Sequence, residues 1–120
     1  MKQTVVFDFD GVIHSYTSGW KGTDTIPDPP VPGIKEAIFN IRSAGYEVIV
    51  VSARCASPEG RVAIFQYLNR HGIEVDGIRK EKPPAIVYID DRAICFDGDS
   101  ASLFTKIQQF QPWYKIGGQK

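Results

Sequence analysis

Thr4-Val5-Val6-Phe7-Asp8-Phe9-Asp10-Gly11 opens the chain with β-forming side chains at successive positions and then stops on two carboxylates and a glycine. A near-continuous apolar run of this length reads as a strand buried on both faces, the habit of a parallel sheet covered by helices. Two further runs have the same form. Tyr46 to Val51 ends in Ser52-Ala53-Arg54, and Ala85 to Ile89 ends in Asp90-Asp91-Arg92. Residues 73–78 suggest another short strand.

Helical periods lie between and after these runs. Ile34, Ala37, Ile38 and Ile41 follow the i, i+3, i+4, i+7 spacing of one buried face, with Gly45 as the stop. Ser57 is placed to cap a second helix that Pro58 opens, with Val62, Phe65 and Leu68 expected inward and Gly72 beyond its end. Leu103, Phe104, Ile107 and Phe110 suggest a buried face on a last helix, capped by Asp99 or Ser100 and stopped by Pro112. Strands alternating with helices predict an α/β fold, a doubly wound three-layer sandwich around a mostly parallel sheet with right-handed crossovers.

A chain of 120 residues has room for one core. Residues 1–116 are read as a single domain, with residues 117–120 as a flexible tail. Residues 13–32 are read as a flap, because Gly19, Gly22, Pro27, Pro29, Pro30 and Pro32 break every period there. That segment is too short to fold independently. With 42% hydrophobic and 23% charged residues, disorder is excluded as a description of the whole chain. Fourteen basic and fourteen acidic side chains cancel, which argues against non-specific binding to polyanions. No apolar run approaches the roughly 20 residues of a bilayer span, and the first residues lack an apolar leader, so a cytoplasmic location is expected. Cys55 and Cys95 have no metal-ligand spacing and read as free thiols.

Each strand-like run ends in polar residues, and in open α/β sheets those ends border the ligand crevice. Asp8 and Asp10, two apart on an extended chain, project to one side about 6–7 Å apart. If Asp90 or Asp91 converges there, two unit charges about 6 Å apart repel by roughly 3 kcal/mol at an effective dielectric of 20. Something positive must offset this. A hard divalent cation such as Mg²⁺ suits an all-carboxylate set better than zinc, since no His or Cys clusters with it. Arg54 and either Lys80 or Lys82 add further positive charge.

The ordered set of Val5-Val6-Phe7-Asp8-Phe9-Asp10-Gly11-Val12, Val48-Ile49-Val50-Val51-Ser52, Lys82-Pro83 and Val87-Tyr88-Ile89-Asp90-Asp91 resembles the four motifs of the haloacid-dehalogenase-like (HAD) hydrolase superfamily, in its capless phosphatase form. Ser52-Ala53-Arg54 and Ile89-Asp90-Asp91-Arg92 also resemble the 3′-phosphatase domain of phage-type polynucleotide kinases. The resemblance implies a Mg²⁺-dependent phosphatase. Asp8 would be the nucleophile that becomes an aspartyl phosphate, and Asp10 the general acid and base, ligating metal through its backbone carbonyl. Ser52 would bind a phosphoryl oxygen, and Lys82, with Lys80 as its competitor, would neutralise charge. Asp90 and Asp91 would complete the metal site, Asp90 directly and Asp91 through water or by orienting the lysine.

Arg54 is read either as a substrate-phosphate grip or as a surface ion-pair partner. Arg92 is read as a brace for its loop, His14 as a solvated flap residue, and Tyr16 and Trp20 as loop anchors that also suit stacking on an aromatic leaving group. An uncapped site implies a phosphorylated substrate that is large, a phosphoprotein or a nucleic-acid end, with a homo-oligomer as a further option. The rival reading is a non-hydrolytic phosphate-binding or phospho-Asp signalling module. Receiver domains use similar residues, but place the acidic pair on the first strand and the phosphorylated Asp on the third.

Overall fold

Residues 2–115 are described by a computed structural model, and the expected tail at residues 117–120 lies outside them. Strand β1 (Thr4–Asp8) is followed by helix α1 (Ile34–Ser43), strand β2 (Glu47–Val51), a 3₁₀ turn at Ala53–Ala56 and helix α2 (Pro58–Arg70). Strands β3 (Gly77–Arg79) and β4 (Val87–Ile89) come next, then a 3₁₀ turn at Ser100–Ser102, helix α3 (Leu103–Gln109) and a final 3₁₀ turn at Trp113–Lys115. The sheet is wholly parallel in the order β3-β2-β1-β4. This is the α/β architecture that the alternation predicts. The chain steps outward from β1 to β3 and then crosses back to lay β4 on the other side of β1. That reversal places the topological switch between β1 and β4.

Alternation of side chains explains the unbroken apolar runs Val5 to Phe7 of β1 and Val48 to Val51 of β2, which supply both faces of the sheet. Val5 and Phe7 of β1, Val48 and Val50 of β2, and Ile78 of β3 share one core with Ile38 of α1 and Ile64 and Leu68 of α2. Val6, Ile49 and Val51 point the other way and cluster with Ala85. Helix α1 starts at Gly33, whose φ of 84° is open to glycine at little cost. Its last-turn Arg42 holds Asp76 through two hydrogen bonds of 3.0 and 3.2 Å, and Asp76 also accepts from the Val48 N–H at 2.8 Å.

Helix α2 begins as expected: the Ser57 side chain accepts from the Gly60 N–H at 3.1 Å and Pro58 takes the first turn. Its inward face is not the expected one. Leu68 is buried as expected, but Val62 and Phe65 are exposed, and Ile64 and Tyr67 are buried in their place. The helix is turned so that Tyr67 Oη can donate to the buried carbonyl of Asp28 at 2.8 Å, a tertiary contact that no local period encodes. Gly60 packs against the preceding 3₁₀ turn, and a Cβ there would collide with the Arg54 carbonyl. Gly60→Ala is expected to cost about 1–3 kcal/mol through overpacking, read as a lower urea midpoint at unchanged m-value.

Helix α3 also departs from expectation. Phe104 and Ile107 are 71% and 62% exposed, and no residue of α3 is buried. Seven residues placed after the edge strand β4 do not reach the second sheet face, which Val6, Ile49, Val51 and Ala85 occupy. The strand expected at residues 73–78 shrinks to Gly77–Arg79, because Ile73 is drawn into the core as its N–H closes the end of α2 on the Leu68 carbonyl. The segment 13–32 enters the core before it loops outward. Ile13 and His14 are fully buried, and backbone bonds from Val31 to Ile13 (2.8 Å) and from Ser15 to Pro29 (3.0 Å) pair its two ends. Among the described residues no helix is long and apolar enough to cross a membrane.

Candidate active site

Asp8 is the last residue of β1, and Asp90 directly follows β4. Phe7 and Ile89 are paired across these two strands, so the chain delivers both carboxylates to one point at the switch. One oxygen each from Asp8, Asp90 and Asp91 lies within 4.8 Å of the other two. Burial, the hydrogen bond with Asp91, and the charges of Asp90, Asp91 and Asp10 together push the Asp8 carboxyl up to about 8. Asp90 moves oppositely. Burial would raise it, but the Arg92 N–H at 2.9 Å and Lys82 Nζ at 3.1 Å hold it below the usual carboxylate range. The cluster therefore carries surplus negative charge that Asp8 relieves by keeping a proton. An all-oxygen donor set with uncompensated charge fits a hard divalent cation such as Mg²⁺.

The Asp10 carboxylate lines the same cleft but is held by its own set of partners. Arg54 grips it through Nε at 2.9 Å and Nη2 at 3.1 Å, and His14 Nδ1 lies 2.8 Å from Oδ1. The Asp28 N–H donates to His14 Nε2 at 3.1 Å, so Nδ1 carries the hydrogen that reaches Asp10. Burial alone would raise the Asp10 pKa; the hydrogen bonds from His14 and Arg54 outweigh it and hold the group below the usual range. His14 is thus a core residue, not the solvated flap residue expected. Asp28, which accepts from Ser18 N and Oγ at 2.8 and 2.5 Å, continues the network into the outer loop.

From sequence Arg54 reads as a phosphate grip or a surface ion-pair partner. The structure gives it another position, 2% exposed, with Nη1 donating to the carbonyls of Gly22 (2.7 Å), Thr23 (2.7 Å) and Thr25 (3.3 Å). The Trp20 ring lies 4.5 Å from its guanidinium carbon. One side chain therefore ties the outer loop to Asp10. Ser52, just past β2, accepts from the Arg54 N–H at 3.1 Å, which leaves its own hydroxyl hydrogen to donate. Of the two candidate lysines, Lys82 is the one in contact with the carboxylates, through Asp90; Lys80 is exposed. Arg92 braces its loop as expected, with its guanidinium 3.4 Å from Tyr114 Oη and 4.0 Å from Asp91 Oδ2.

Sequence reasoning missed the final turn. Trp113 Nε1 donates to the Gly11 carbonyl at 2.6 Å, and Tyr114 Oη donates to Asp91 Oδ2 at 2.9 Å. Gly11, at φ +86°, packs so closely that a Cβ there would run into the Asp91 carboxylate and the Tyr114 ring. The only signal for this was an aromatic pair just after Pro112. Tyr16, at φ +62°, is held between the rings of His14 and Tyr114 with centroids 5.8 and 5.6 Å away. Tyr16, Trp20 and Tyr114 line an open cleft of about 400 Å³ together with Asp8, Asp10, Ser52, Asp90 and Asp91.

No family model matches the chain, and no curated protein matches it. Among solved structures it is similar to a D,D-heptose 1,7-bisphosphate phosphatase from Burkholderia thailandensis, at 23% identity and a TM-score of 0.45. The match covers 75% of this chain and 66% of that protein, so the chain spans just under two-thirds of its length.

Proposed function

We propose that this protein is a capless HAD-type phosphomonoesterase that hydrolyses phosphate monoesters through an aspartyl phosphate on Asp8. The observation that carries the reading is the meeting of Asp8, Asp90 and Asp91 at the switch between β1 and β4, with Ser52 in the same cleft and Lys82 on Asp90. Asp8, Asp90 and Asp91, with the Asp10 backbone carbonyl, would hold Mg²⁺, which supplies positive charge to the nucleophile and to the phosphoryl oxygens.

The chain's own groups supply the rest. The Asp8 carboxylate attacks phosphorus, the bond from phosphorus to the ester oxygen breaks, and that oxygen takes a proton from Asp10. In the second step Asp10 takes a proton from water. The water oxygen attacks phosphorus, the bond to Asp8 breaks, and inorganic phosphate leaves. Ser52 Oγ–H and Lys82 Nζ bind phosphoryl oxygens. The grip of Arg54 and His14 keeps Asp10 ionised at rest, the form the second step needs. An arriving phosphate dianion pushes it toward the protonated form that the first step needs. The open cleft and its aromatic wall suit a large phosphorylated substrate, a phosphoprotein or a nucleic-acid end.

The test is phosphate release from an aryl phosphate with and without Mg²⁺. Activity is expected to need the metal, to vanish with a chelator and to return on adding Mg²⁺. Suppose instead that metal binds but no turnover occurs across small esters, phosphopeptides and 3′- or 5′-phosphorylated oligonucleotides. The chain would then be a phosphate-binding or phospho-Asp signalling module.

A further inference from the structure

The turn at Trp113–Lys115 lies 102 residues from Gly11 in sequence, yet it bonds to Gly11 through Trp113. Tyr114 is 5% exposed and its hydroxyl sits between two charged groups. The Arg92 guanidinium donates to the phenol oxygen, and the phenol donates its one hydrogen to Asp91 Oδ2. The direction of this relay is fixed, because an arginine can only donate, which leaves the single phenol hydrogen for Asp91 Oδ2. A cation at the phenol oxygen also polarises the O–H toward the acceptor. The side chain of Asp91 is almost wholly buried, and Gly11 is closed against both it and the Tyr114 ring, so the carboxylate has little freedom to turn.

We infer that Tyr114 is a positioning residue for the Asp8/Asp90/Asp91 cluster: by committing Asp91 Oδ2 it fixes the carboxylate's orientation and thereby sets the cluster's affinity for a divalent cation. This rests on the cation site proposed above. Groups that orient a ligating carboxylate or imidazole from outside typically change metal affinity by about 10–100-fold when removed. The C-terminal turn is then part of the site, although none of its side chains touches the reacting atoms.

The experiment is calorimetric titration of Mg²⁺, and separately Mn²⁺, into the full chain and into Tyr114→Phe and Arg92→Gln. Tyr114→Phe keeps the ring against Tyr16 and Trp113 and is expected to bind about tenfold more weakly. Arg92→Gln, at a side chain 63% exposed, tests the relay even if the first variant folds poorly; a drop of about threefold is expected. Equal affinities in all three proteins overturn the role of Tyr114 while leaving the phosphatase reading in place. A wild-type chain that binds neither cation overturns both. A variant that loses thermal stability in chelator but keeps wild-type affinity assigns Tyr114 a purely structural role and overturns the inference.

Discussion

Asp8→Asn is expected to abolish phosphate release, by on the order of 10⁴-fold or more, and at the same time to make the metal-free protein more stable. The loss follows because an amide cannot serve as the attacking carboxylate. The gain follows from crowding: ionising Asp8 within 4.8 Å of another charged carboxylate oxygen would cost about 3.5 kcal/mol at an effective dielectric of 20, so the folded chain must hold a proton there that an amide does not need. The pH dependence has a definite sign. In the folded chain Asp8 keeps its proton up to about 8, whereas unfolded it loses it near 3.8. Between those values the folded state binds more protons than the unfolded one, so the Asp8 contribution to stability falls as pH rises. The stability advantage of Asp8→Asn should therefore widen from pH 5 to pH 8 in chelator. Mg²⁺ should reverse the order by binding the wild-type site. Thermal unfolding at both pH values, with and without Mg²⁺, reads all of this. A variant less stable than wild type at pH 8 without metal would contradict the crowding of the three acids.

The second large effect is at Arg54. Removing one partner of a buried ion pair typically costs about 3–5 kcal/mol, because the other charge is left without compensation. Arg54→Met does this to Asp10 and also strips the carbonyls of Gly22, Thr23 and Thr25 of their donor. Unfolding should drop by that amount, and activity should fall with it as Asp10 and the outer loop lose their common anchor. Arg54→Lys keeps the charge but not the fork, and is expected to recover only part of the stability. In the double variant with Asp10→Asn, the loss should be smaller than the sum of the single losses, since no unpaired carboxylate remains. The pair also predicts an acid limb. Asp10 is held below its unfolded value, so its stabilisation is present at neutral pH and disappears as pH falls through the folded value. A loss below about 1 kcal/mol in Arg54→Met would place the guanidinium in solvent and sink this account.

Much of the site is legible in the sequence, and the reason is local. Asp8, Ser52 and Asp90 each stand at the end of a short apolar run, and a parallel sheet brings such ends together without further information. The Ser57 cap and the Pro58 start of α2 are likewise written within one turn of sequence. What the spacing misplaced was the inward face of α2 in part and of α3, whereas Ile34, Ile38 and Ile41 of α1 pack on the core as their period predicts. Val62 and Phe65 have the right spacing but lose to Ile64 and Tyr67, because Tyr67 must reach a carbonyl 39 residues away. In a loop this polar, His14 reads as solvated, yet Ile13 and Ser15 on either side of it bond to Val31 and Pro29 and close it off.

By itself, then, the sequence determined the parallel α/β architecture and the identity of the acidic cluster, since strand burial and strand ends depend on side chains close together in the chain. Only the tertiary structure decided which cations serve which carboxylates. Arg54 goes to Asp10, Lys82 to Asp90, and Arg92 with Tyr114 to Asp91, because those pairings depend on loops and a terminus that meet only after the sheet has formed.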